Sequence, residues 1–154
     1  MNGRERIGPY VAQIQHEHRE LNRQVDEIAQ ALMRQEGCEA FAECRDLYQR
    51  RLTELREHLV KHFTEEEHDG YMEEALSSAP HLAAEAMDLE RENPVILQAI
   101  DRILNRLNRQ EVTAENWGES KSEFKKFARF LLTHEAHENR LLQHGFNVDL
   151  DLPE

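Results

Sequence analysis

Glycine and proline are scarce in this chain, six and four among 154 residues. Few residues therefore interrupt regular structure, and the apolar/polar alternation of half-buried strands is nearly absent. That excludes sheet-based architectures and leaves long helices. Cysteine is almost missing too. Cys38 and Cys44 form no C-x-x-C motif, and both precede or begin a helical stripe. Buried free thiols are expected rather than a zinc site or a disulfide. No apolar run is long enough to span a bilayer, and the first residues show no signal-peptide pattern, so a cytoplasmic protein is expected. Basic residues are outnumbered 19 to 31, giving a formal net charge of −12. A nucleic-acid partner would want a basic footprint, and nothing here favours an anionic membrane surface. The length suits one domain with a single sizeable core.

What the chain does have is histidine, nine residues of it, inside helical patterns. Gly8-Pro9 reads as the opening of a first helix that ends near Gly37. Val11, Ile14, His18, Leu21, Val25, Ile28 and Leu32 recur along it at steps of three and four. A second helix is expected from about Glu39 to about Asp69, stopped by Gly70. Its stripe is Phe41, Cys44, Tyr48, Leu52, Leu55 and Leu59, and the next members are His62 and Glu66. Tyr71 to Ala79 reads as a connection. Ser77-Ser78-Ala79-Pro80 then starts a third helix, with serine as cap and proline in the first turn. Its stripe is Leu82, Ala86, Leu89, Asn93, Ile96, Ile100, Ile103 and Leu107. Pro94 lacks the N–H that would reach the Glu90 carbonyl, so a kink is expected beside Asn93. A break over Gln110–Asn116 precedes a fourth helix, with Thr113 or Asn116 as its cap. That helix carries Phe124, Phe127, Leu131, His134, Glu138 and Leu141 and ends at Gly145. Phe146 to Glu154 is a short acidic tail.

Four amphipathic helices with short connections pack most simply as an all-α, up-down-up-down four-helix bundle occupying residues 1–154 as one domain. In that bundle His18, His62, Glu66, Asn93, His134 and Glu138 all fall roughly 10–20 Å from the same end, at about 1.5 Å rise per residue. One histidine on an apolar stripe is ordinarily a satisfied core residue, and one His-x-x-x-Glu pair arises by chance. Three histidines and two glutamates at one level are different, because unpaired buried charges each cost several kcal/mol. A bound metal resolves the conflict. Imidazole and oxygen donors without thiolate suit iron or manganese, and zinc less specifically. His58 and His137 flank the layer, as neighbouring donors, replacement ligands or solvated residues. Glu90 is a substitute ligand or an exposed glutamate. Glu65 and Glu67 read as solvated, Tyr48 as core, and Trp117 as a cover for the bundle end.

At these residues the sequence resembles the hemerythrin-like family of histidine/glutamate cation-binding bundles. Glu17-His18-Arg19-Glu20-Leu21 is similar to the family's first ligand motif. His62-Phe63-Thr64-Glu65-Glu66 is similar to the second, and His134-Glu135-Ala136-His137-Glu138-Asn139 to the last. The resemblance implies two iron ions bridged by Glu66 and Glu138, with His18 and His62 serving one and His134 the other. It departs at Glu92-Asn93-Pro94-Val95-Ile96-Leu97, where Asn93 stands in place of a histidine and offers a weaker neutral oxygen. The resemblance implies binding or sensing of oxygen or a related small molecule. The alternatives are a di-iron oxidase or peroxidase, and a regulatory module that metal merely tightens, with a reduced or mononuclear site.

Overall fold

The computed structural model describes residues 3–34, 41–69, 79–109 and 113–149, and the side chains of 9–33, 43–67, 79–109 and 113–145. Five α-helices result: α1 (Gly3–Arg34), α2 (Phe41–Asp69), α3 (Pro80–Glu90), α4 (Glu92–Arg109) and α5 (Ala114–Asp149). No strand occurs among the described residues.

α3 and α4 together make the third leg of the bundle, and Arg91 is the break between them. Pro94 accounts for it. The residue falls in the first turn of α4, where a helix has no use for the missing N–H. The Arg91 N–H meanwhile closes α3 on the Met87 carbonyl at 3.2 Å. At the start of α3, Ala79 is the N-cap and makes no side-chain capping bond. The expected serine caps lie outside the described residues. α5 starts as its sequence suggests: the Asn116 N–H donates to Thr113 Oγ1 at 3.1 Å, and the Trp117 N–H to the Thr113 carbonyl at 2.9 Å.

Three expectations are corrected. Pro9 does not open α1, which begins at Gly3 and carries the proline inside. One proline removes one backbone bond, and in the opening turns of a long helix that loss is tolerated. Gly145 does not end α5, which continues to Asp149. Glycine in a helix interior costs only about 0.5–1 kcal/mol relative to alanine, too little to stop a helix held by its neighbours. Cys44 is disulfide-bonded rather than a free thiol. Periodicity reads burial, not oxidation state. Cys38, Gly37, Gly70 and residues 150–154 lie outside the described residues.

The helices run alternately up and down. His58 Nδ1 meets Gln24 Oε1 at 2.5 Å and His62 Nδ1 meets Glu17 Oε2 at 2.5 Å, so α2 is antiparallel to α1. Arg56 to Asp101 and Asn93 to Glu67 set α4 antiparallel to α2. Arg106 pairs with Glu119 and Glu123, and Glu92 with His134, which reverses α5 against α4. α1 packs on α2 and α5, and α4 packs on the same two helices. α3 covers the lower part of α5.

The core is divided. One apolar cluster extends from Leu21 to Leu32, Cys44 to Phe63, Ile96 to Leu107 and Trp117 to Leu131. A second joins Tyr10, Val11 and Ile14 to the buried residues of α3 and to Leu141 and Leu142. Between them lie His18, His62, Glu66, Asn93, His134, Glu135 and Glu138, all buried.

Candidate metal centre

Each ligand candidate occupies a stripe position that hydrophobic neighbours above and below hold in the core. His18 follows Ile14 and precedes Leu21 on α1. His62 and Glu66 continue the Leu52, Leu55, Leu59 series on α2. Donor atoms of His18, His62, Glu66 and Glu138 lie within 4.8 Å of one another. His18 Nε2 is 3.3 Å from Glu138 Oε1 and 3.9 Å from Glu66 Oε1. His62 Nε2 is 2.7 Å from Glu66 Oε1. His134 joins from the other side, its Nε2 3.5 Å from Glu138 Oε2. The two oxygens of Glu138 thus face different histidines.

The outer ring nitrogens are all engaged. His62 Nδ1–H donates to Glu17, His18 Nδ1–H to Asn139 Oδ1 at 2.8 Å, and His134 Nδ1–H to Glu92 Oε2 at 3.4 Å. Occupying Nδ1 leaves Nε2 as the nitrogen that faces inward, the arrangement that orients metal-binding histidines. Yet the inward atoms His18 Nε2, His134 Nε2, Glu66 Oε1 and Glu138 Oε1 meet one another only in contacts too poorly directed for hydrogen bonds, and Asn93 Oδ1 has no hydrogen-bond partner at all. Buried polar atoms are seldom left so. Several of them together, aimed into one layer, fit a cation.

The protonation states carry the strain of that layer. Burial pushes His18 down, but the facing Glu138 and Glu66 outweigh it and hold it at about 10. His62 is held at about 9 against burial by Glu17 and Glu66. His134 is lowered by burial, which Glu92 and Glu66 only partly offset. Burial and the neighbouring Glu66 raise Glu138 to about 8. Glu66 is held below the usual carboxylate range despite its burial, by Glu138, His18 and His62. The two carboxylates therefore keep one proton between them.

Asn93 sits where the stripe places it, with its amide fixed by Glu67. The Nδ2 group donates to Glu67 Oε1 at 3.0 Å. A carboxylate accepts only, so Oδ1 turns inward. It makes no bond to the backbone beside Pro94. His134 does not belong to the four-residue donor group. His58, bonded to Gln24, and His137, 3.5 Å from Glu85, lie outside that group too. Tyr48 and Trp117 are core residues in edge contact.

Glu135 is the residue that sequence reasoning missed. It is only 2% exposed, and neither carboxylate oxygen has a partner. Burial raises it to about 7. Its signal is a second stripe on α5, Leu131-Glu135-Glu138-Leu142, which a count restricted to His134 and Glu138 passes over. The partners Glu17, Glu92 and Asn139 were also unassigned, because half-exposed residues leave no mark in an apolar periodicity; Glu67, read as solvated, is exposed but accepts from Asn93 as well.

The fold and this layer define a cation-binding four-helix bundle of histidine and glutamate donors. The model of the hemerythrin HHE cation binding domain matches residues 10–144, and the chain belongs to that family. No curated protein and no solved structure matches it. Among the described residues, no helix is long and apolar enough to cross a membrane.

Proposed function

We propose that the chain is a non-heme metal-binding protein that holds iron in this layer, for binding or sensing oxygen or a related small molecule. The observation that carries the reading is Glu138, whose Oε1 faces His18 and whose Oε2 faces His134. A carboxylate so placed suits two ions better than one. His18 and His62 would hold one ion, His134 and Asn93 the other, with Glu66 and Glu138 shared. Manganese and zinc are the other metals this donor set admits. Iron in such a site supplies redox-active coordination positions that protein donors do not fill.

The chain's own residues do the rest. Glu17, Asn139 and Glu92 aim the three imidazoles. The two apolar clusters keep bulk water from both sides of the layer. Asn93 favours unequal sites, since an amide oxygen binds a transition metal less tightly than imidazole. A mononuclear or weakly filled second position follows from it, and with it the regulatory-module alternative.

Elemental analysis of protein purified without added metal tests the metal. Visible spectra with oxygen, azide and peroxide test the ligand. Iron at one or two ions per chain with bands that respond to oxygen or azide supports the proposal. Sustained peroxide consumption would instead favour the oxidase or peroxidase alternative. Protein that carries no metal and takes up none removes the reading altogether.

A further inference from the structure

The net charge of −12 is not spread evenly. On α4 and α5 the non-buried cations outnumber the non-buried carboxylates among the described residues. A groove of about 670 Å³ runs between these helices, floored by Ala99, Ile103 and Phe127 and bordered by Val95 and Phe130. Val95 is 47% exposed and Phe130 37%. Arg102, Arg109 and Lys126 stand on its rim, and none has an ion-pair partner among the described residues. Arg106 and Glu123 also line the groove and pair with each other, and Arg106 reaches Glu119 too, so the one carboxylate of the lining is neutralised.

A second groove, of about 710 Å³, lies on the other side of α5, against α1. Leu132 borders it, 39% exposed. Lys125, Arg129 and Arg140 line it and are likewise unpaired among the described residues. α5 is therefore a ridge between two shallow grooves, with free cations set around exposed hydrophobics. Single exposed apolar residues need no explanation, but a rimmed group marks a binding surface.

We propose that this face docks an acidic amphipathic helix of a partner protein, its apolar side on the α4–α5 groove and its carboxylates against the rim cations. From Val95 to Arg109 the groove wall is about 21 Å long at about 1.5 Å per residue, the length of about four helical turns. Helix-in-groove recognition uses apolar anchors at that spacing, and opposite charge on the rim gives orientation and encounter rate. A second copy of this chain is a poor occupant: two-fold pairing sets the same patch against itself, cation against cation. An anionic bilayer is also a poor fit, being flat against two concavities and repelled by the rest of the molecule.

The probe is a fluorescein-labelled peptide of about four turns, with leucine at i, i+3, i+4 and i+7 and glutamate elsewhere. Its controls are a scrambled peptide of the same composition, a lysine-for-glutamate version, and vesicles containing phosphatidylglycerol. With the full-length, metal-loaded protein, the probe should bind at least about tenfold tighter than either control peptide and weaken as salt rises. Its amide shifts should cluster on α4 and α5. The exposed pair Arg102→Glu with Lys126→Glu should weaken it roughly tenfold, Phe130→Ser should also weaken it, and Arg50→Glu on α2 should not. Equal binding of scrambled and amphipathic peptides, shifts elsewhere on the bundle, or binding to vesicles in place of peptide would each overturn the assignment. So would a dimer formed through this face that the peptide does not dissociate.

Discussion

Glu135 offers the most direct measurement of what the polar layer costs the protein without metal. Its ordinary value of 4.5 is raised to about 7 in the folded chain, chiefly by burial. A raised carboxylate is neutral, and costs nothing extra, below about pH 4.5. As pH climbs from there through about 7, the unfolded chain gives up the proton first, and the folded state loses stability. Each tenfold difference in proton affinity between the two states is worth about 1.4 kcal/mol, so the loss approaches about 3 kcal/mol by about pH 8. For a domain of this size that is roughly 6–12 °C in Tm. Glu135→Gln keeps the shape and the polarity of the neutral acid but cannot ionise. In metal-free protein the variant should match the parent near about pH 4.5 and melt higher near about pH 8 by that interval. Thermal melts by circular dichroism across this range are the assay. A gap that does not grow with pH would show that Glu135 is not the titrating group, and that its burial is relieved in solution.

Chelation should lower Tm, because a metal bound only to the folded state stabilises it by about 4 kcal/mol at about a thousandfold excess over Kd; an unchanged melt after verified metal removal would argue that none was held. Metal binding should also release protons near neutral pH, since His18 at about 10, His62 at about 9 and Glu138 at about 8 must give theirs up. Calorimetry in buffers of different ionisation enthalpy reads the number, and a buffer-independent heat would contradict it. Asn93→His should raise the iron per chain or tighten the weaker position. If content, affinity and spectrum all stay the same in a folded variant, the unequal-site idea fails.

The stripes were legible because burial imposes a period of three to four residues, and every polar interruption read from them is buried: His18, His62, Glu66, Asn93, His134 and Glu138. Their common level followed from helix rise alone. What periodicity could not deliver was anything decided by side-chain reach. Glu17 and Asn139 act through the tips of half-buried side chains, and Glu135 hides because its own helix buries two adjoining stripes. Local rules also misplaced two helix ends. Pro9 and Gly145 are weak penalties beside the packing of long helices, whereas Pro94 agreed with its surroundings and marked a real break.

The division of the core by a charged layer bears on how the chain unfolds. Two apolar clusters that meet only across a polar layer should open as two cooperative units rather than one. The smaller, built from the start of α1, α3 and the late part of α5, has less buried surface and a backbone break at Arg91. Native-state hydrogen exchange should therefore show it opening first, in a sub-global step that leaves the larger cluster intact. A cation across the layer would rivet the units together, so that the amides of α3 come to exchange only when the whole bundle does.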